Sequence, residues 1–214
     1  MFSSHAFWLG YGALSITPLL CYMISVYHGQ TLVFLSTVSA NYMFSPARWY
    51  FGLGITFFVA QQLLLQTPWS QVYDKSNSKK QDFLAVYERI LLIALAIISW
   101  IPLGWVVGLH ALLAGPWFLS AIHWIYCLIP LLPDYLQYLI HRLYLCACFG
   151  IIWMAIHFPI SVIIDLNQES SYQSRLEILA QDPRWTNFAC AEWVVLYCLI
   201  ACIGILGYYK SSSK

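Results

Sequence analysis

The chain has 214 residues, 61% of them hydrophobic and 9% charged, with a formal net charge of +1. A soluble domain carries about a quarter charged residues because its surface meets water, and no part of this chain is long and polar enough to form one. A net charge so near zero also gives no electrostatic basis for binding nucleic acid.

The apolar residues fall in runs of about twenty, the length that crosses a hydrocarbon core at about 1.5 Å per residue. Six such runs are expected to span: residues 7–26, 49–66, 90–107, 116–132, 143–164 and 187–209. Lipid-facing backbone must satisfy its own hydrogen bonds, so the runs are expected to be helices. They do not alternate as the strands of a membrane barrel would. The fold class is therefore all-α: a polytopic bundle of about six transmembrane helices, one domain over residues 1–209. Residues 210–214 are expected to be a short, disordered polar tail. The first run lacks a basic leader and a small-residue cleavage site, so it is expected to remain as the first helix. The third and fourth runs are joined by a weakly polar turn at 108–115, with a re-entrant hairpin as the alternative. Two connections are longer and polar, 67–89 and 165–186.

Lys75, Lys79, Lys80, Arg89, Arg142, Lys210 and Lys214 fall on the side that holds both termini, against Arg48, Arg175 and Arg184 on the other. Seven against three places both termini in the cytosol by the positive-inside rule, with the first, third and fifth loops lumenal. Trp8, Trp49, Trp117 and Trp185 near run ends fit interfacial anchoring. The seven cysteines lie in apolar runs without a CxxC pair, as small packing residues rather than zinc ligands or a disulfide framework.

An ionisable residue at membrane depth is costly and needs a partner or a function. His123, in the fourth run, and Glu192, in the sixth, are both expected about 8–12 Å below the lumenal face, where a contact could fix the imidazole tautomer and raise its basicity for acid–base work. The alternative is a buried pair that only locks two helices together. His110 sits in the lumenal turn before the fourth run. Asp134 and His141 share one face at the cytosolic edge, and Glu88 reads as an acid in a first helical turn. No hydrolase, metalloprotease, phosphate-loop or clustered-histidine motif is present, so no cofactor or metal is expected.

In order along the chain, several segments resemble the Frag/DRAM/Sfk family of six-span membrane proteins, and within it the post-GPI-attachment lipid-remodelling branch. These are the serine-rich loop Leu35-Ser-Thr-Val-Ser-Ala-Asn, then Pro46-Ala-Arg-Trp-Tyr-Phe-Gly52, Val86-Tyr-Glu-Arg-Ile-Leu-Leu92, His110 with His123, and Phe188-Ala-Cys-Ala-Glu-Trp-Val-Val-Leu196. The resemblance implies re-acylation of a lyso-GPI intermediate in the Golgi or endoplasmic reticulum, as an acyltransferase or an essential component of one. His123 would then be the base, Glu192 would orient it, and His110 would sit at the pocket mouth. The partners implied are membrane lipids, a GPI lipid among them, and other membrane proteins. The DRAM branch implies instead a lysosomal, non-catalytic modulator of autophagy or trafficking, or an accessory subunit.

Overall fold

A computed structural model describes residues 4–30, 38–41, 45–66, 68–69, 78–101, 107–158 and 183–212. The described residues are helical and contain no strand. Six long helices are α1 (Ser4–Tyr27), α2 (Ala47–Leu65), α3 (Ser78–Ser99), α4 (Val107–Leu128), α5 (Asp134–Ile156) and α6 (Pro183–Ser212). A single helical turn, Val38–Asn41, precedes α2, and a 3-10 turn, Ile129–Leu131, joins α4 to α5.

Each helix packs on the next in sequence, and α6 returns to pack on α1, closing a ring. The pairs α1–α2 and α5–α6 share the most extensive contacts. Neighbours run antiparallel. Cys21 in α1 meets Ala47 at the start of α2, and Thr56 in α2 meets Trp100 just after α3. Leu91 in α3 meets Trp117 in α4, and Ser15 in α1 meets Tyr197 in α6. The start of α1 and the end of α6 therefore lie at one end of the bundle, called here the terminal end. The single turn Val38–Asn41 lies at the opposite end.

Four stretches are long and apolar enough to cross a membrane: His5–Tyr27, Leu112–Leu131, Asp134–Ile156 and Thr186–Lys210. The last is the most buried of the four and Asp134–Ile156 the least. The two remaining helices do not reach that standard. Helix α2 includes Arg48, Gln61 and Gln62, and α3 carries Lys79, Lys80, Asp82, Glu88 and Arg89. The outside of the bundle is studded with large apolar side chains, including Leu9, Met23, Leu64, Leu112 and Ile156, each more than three-fifths exposed. Water-soluble monomers rarely expose apolar surface on that scale, whereas lipid accommodates it.

Four expected boundaries are corrected. The fourth helix begins at Val107, so residues 108–115 are helical and Pro116 is internal. A proline inside a helix forfeits one backbone bond, which membrane helices tolerate because their neighbours compensate. The third helix begins at Ser78, within the stretch expected to be a loop. Lys79, Lys80, Asp82 and Arg89 are exposed while Leu84, Ala85, Glu88 and Leu91 are buried, a spacing near 3.6 residues that marks one helix face. Glu88 is therefore in the third turn, and the first-turn explanation for it fails. The fifth helix begins at Asp134 directly after Pro133, as expected of a proline that halts the preceding helix and an acid that suits a first turn. At the other end of the chain α6 runs to Ser212 with Lys210 buried, so that lysine belongs to the bundle and not to a disordered tail.

Closure of the ring depends on small residues. A methyl group at Gly207 would strike the ring of the fully buried Phe7, and one at Gly204 would lie 2.5 Å from the Tyr11 hydroxyl oxygen. Small residues let membrane helices approach this closely. Gly207→Val is expected to lower stability in detergent by about 1–3 kcal/mol through overpacking. Gly115→Ala, with nothing within 4 Å of the added carbon, should be neutral or stabilising. Thermal unfolding followed by size-exclusion chromatography compares the two.

Candidate functional site at the loop-bearing end

Glu192 lies nine residues into α6 and is 4% exposed. Its Oε2 accepts a hydrogen bond of 2.8 Å from the backbone N–H of Val38. That N–H opens the single turn Val38–Asn41, and the first N–H groups of a helical turn have no partner within it. The carboxylate supplies one from α6. The same turn is fastened to α1, where Ser25 Oγ donates to the Asn41 carbonyl at 2.5 Å and the Asn41 side chain is buried. Cys21 Sγ donates to the Ala47 carbonyl at 3.3 Å, and Gln30 Nε2 to the Ser45 carbonyl at 2.7 Å. The first loop is thus tied to α1 and α6 through its described residues. Leu35, Ser36 and Thr37 of the serine-rich segment lie outside them, as do Asp165 and Arg175 in the last loop.

His110 sits in the first turn of α4, ahead of the apolar stretch Leu112–Leu131, and is 3% exposed. Its Nδ1 is 2.6 Å from the Ile101 carbonyl oxygen. A carbonyl only accepts, so Nδ1 carries the proton and Nε2 is the basic nitrogen of the neutral ring. Burial pushes the imidazole below its ordinary titration range, and the bond to Ile101 opposes this in part. The ring is therefore neutral at physiological pH.

The structure does not bring His123 to Glu192. With α4 starting at Val107, His123 lies about 24 Å along the helix from that start, beyond the lumenal half expected for it. It is exposed, and its polar partners are Tyr87 Oη at 3.3 Å from Nδ1 and Cys127 Sγ at 3.6 Å from Nε2. Tyr87 donates its proton to the Ser120 carbonyl at 2.8 Å. All three bonds coexist if Nδ1 of His123 is protonated and donates to Tyr87 while Nε2 accepts from the thiol. Trp117, expected as an interfacial anchor, is likewise deeper than its reading implied. Its Nε1 donates to the Leu91 carbonyl at 2.9 Å and fixes α4 against α3.

A second polar group at the terminal end was not anticipated. Glu88, 8% exposed, accepts the Trp69 backbone N–H at 2.9 Å. Lys210, 6% exposed, places its Nζ 4.9 Å from the centre of the Trp69 ring, within the range of a cation–π attraction. Lys210 and Arg89 are the cations whose fields act on Glu88. Phe7 packs edge-on against the same tryptophan, with ring centres 5.6 Å apart. The chain beyond α2, the third helix and the last helix are thereby joined. Asp134 and His141, also at this end, are both exposed, and His141 stacks on Tyr144. Among the described residues no three His, Cys, Asp or Glu side chains converge as metal ligands.

No protein-family model, curated protein or solved structure matches the chain.

Replacing Glu192 separates charge from hydrogen bonding. Glu192→Gln keeps an oxygen for the Val38 N–H and should stay close to wild type in stability. Glu192→Leu leaves that buried donor unpaired, at a cost of about 1–3 kcal/mol. Limited proteolysis should then cut the first loop faster in the leucine variant alone.

Proposed function

We propose that the chain is a six-span integral membrane protein of the secretory pathway, with both termini cytosolic, and that it takes part in re-acylating a lyso-GPI intermediate at its lumenal end, in the Golgi or endoplasmic reticulum. One observation carries the reading. Two segments of the family resemblance, the serine-rich first loop and the run at 188–196, are joined by the Glu192–Val38 hydrogen bond across 154 residues of sequence. Three further points support six spans and their sidedness. Helices α2 and α3 pack between α1 and α4 and run antiparallel to their neighbours, so they are carried across with them. Gln62, Glu88 and Ser99 on these two helices are buried in the interior. Lys79, Lys80, Arg89, Arg142 and Lys210 lie toward the terminal end, against Arg48 and Arg184 at the other, the asymmetry of a cytosolic terminal end.

Re-acylation needs a lipid hydroxyl oxygen to attack an acyl carbonyl, with its proton taken by a base. The new ester bond forms as the bond to the donor's leaving group breaks, and the leaving group recovers the proton. In this reading His110 is the candidate base, because it lies at the loop-bearing end with a neutral ring whose Nε2 is the basic atom. Glu192 is a positioning residue that holds the loop in place. His123, at a different level of the bundle, has no part at the lumenal face. The test is deletion of the gene in its host, with the anchor lipids of GPI proteins measured by mass spectrometry. The reading predicts accumulated lyso-GPI, restored by wild type and by His123→Ala but not by an equally abundant His110→Ala. An unchanged lipid profile overturns it.

A second reading has its own support. Because His123 lacks an acid partner and Glu192 serves a backbone N–H, the buried polar groups can be purely architectural. The chain would then be a non-catalytic adaptor, a lysosomal DRAM-like modulator of autophagy or trafficking, or an accessory subunit of a larger membrane complex. Co-purification of a stoichiometric partner in mild detergent, with an unchanged anchor-lipid profile, selects this reading.

A further inference from the structure

On the exterior of the bundle, where α3 and α4 meet, Cys127, His123 and Tyr87 form a linked row. Cys127 and His123 are one turn apart on α4, with Sγ 3.6 Å from Nε2. Tyr87 Oη lies 3.3 Å from Nδ1 of the same ring and gives its own proton to the Ser120 carbonyl. The Tyr87–Ser120 bond already ties α3 to α4 without the imidazole. His123 is exposed on a helix apolar enough to cross a membrane, where an ionisable group calls for a use. The row runs thiol, basic nitrogen, then a hydroxyl on the other ring nitrogen, which is the arrangement that activates a nucleophile. Its depth matters as well. Cys127 is about one helical turn from the end of the apolar stretch Leu112–Leu131, and membrane-edge cysteines are where fatty acyl groups are attached. Cys146 is exposed too, but lies about 18 Å into α5, and Cys190 lies toward the loop-bearing end.

We propose that Cys127 is a self-acylating site, which takes a long-chain acyl group from a soluble acyl thioester such as an acyl-coenzyme A, with His123 as the base. Nε2 takes the thiol proton as Sγ attacks the thioester carbonyl. The carbon–sulfur bond to the carrier breaks, a new thioester forms on Cys127, and the carrier's thiolate recovers the proton from the imidazolium. An anionic carrier suits this end of the bundle, where Lys79, Lys80, Arg89 and Arg142 are exposed and attract opposite charge. The acquired chain has an apolar path away from that end. Leu119, Pro116 and Leu112 are exposed on the side of α4 that carries His123 and Cys127, and Leu112 is about 22 Å along the axis from Cys127. The inference does not rest on the remodelling reading, whose residues lie at the other end of the bundle.

The purified protein is cleared of thioester-linked groups with hydroxylamine, placed in nanodiscs, whose two faces are both open to added reagents, and incubated with palmitoyl-coenzyme A bearing a terminal alkyne. A hydroxylamine-labile palmitoyl group is expected on Cys127, identified by peptide mass spectrometry. Cys127→Ser should remove it and Cys146→Ser should leave it. His123→Ala should slow the reaction about a hundredfold, the lower end of what a positioned base contributes. Free imidazole should restore part of the rate in that variant, which loss of a merely structural group would not allow. Each variant is compared as protein that elutes as a single species. Labelling spread evenly over Cys127, Cys146 and Cys190, or a His123→Ala rate equal to that of wild type, overturns the base-assisted site. No label on Cys127 overturns the site altogether.

Discussion

Closure of the helical ring is the constraint from which the rest follows. It requires α6 to lie against α1 closely enough that Phe7 occupies the space over Gly207 and Tyr11 that over Gly204. Once the first and last helices are in contact, both ends of the chain share one end of the bundle and the loop-bearing end is left to the first, third and fifth connections. A central cavity follows too, because five helices converge on it. In lipid there is no hydrophobic drive between helices, so close packing of small residues and a few interior polar bonds must hold such a ring. Here those bonds join helices: Trp100 to Thr56, Trp117 to Leu91, and Tyr197 to Ser15.

The ionisable groups divide by level. Glu192 and His110 sit toward the loop-bearing end, and both serve backbone groups where chain segments begin or end. Glu88 and Lys210 meet around Trp69 at the terminal end. His123 stands apart on the exterior with Tyr87 and Cys127. Each level fastens elements distant in sequence, which is reason enough for a costly buried charge. The group at the loop-bearing end acquires a chemical role only through a substrate at that end.

Much of this architecture was legible in the apolar runs. The first, second and sixth helices lie within a few residues of their expected limits, because each is bounded by polar residues and has no charged cluster inside it. The third, fourth and fifth were misplaced for physical reasons. Lys79, Lys80 and Asp82 looked like loop residues, yet their helix buries Leu84, Glu88 and Leu91 on one face. Pro116 looked like a helix start, and that shifted the expected depth of His123. At the site, Glu192 was readable as a buried acid, but its partner is a backbone N–H, which has no sequence signature. The buried amide side chains were equally hidden. Of the neighbours Gln61 and Gln62, only the fold shows which one lines the interior.

Sidedness is the claim on which the lumenal assignment of His110, Glu192 and the first loop depends, and glycosylation mapping tests it most directly. The sequence contains no N-x-S/T acceptor, so acceptors inserted one at a time report without background. Insertions into the first loop and into the loop at 165–186 should be modified, and an insertion beside Lys79 should not. Modification beside Lys79 with none in the other two loops would contradict the account and place the terminal end in the lumen.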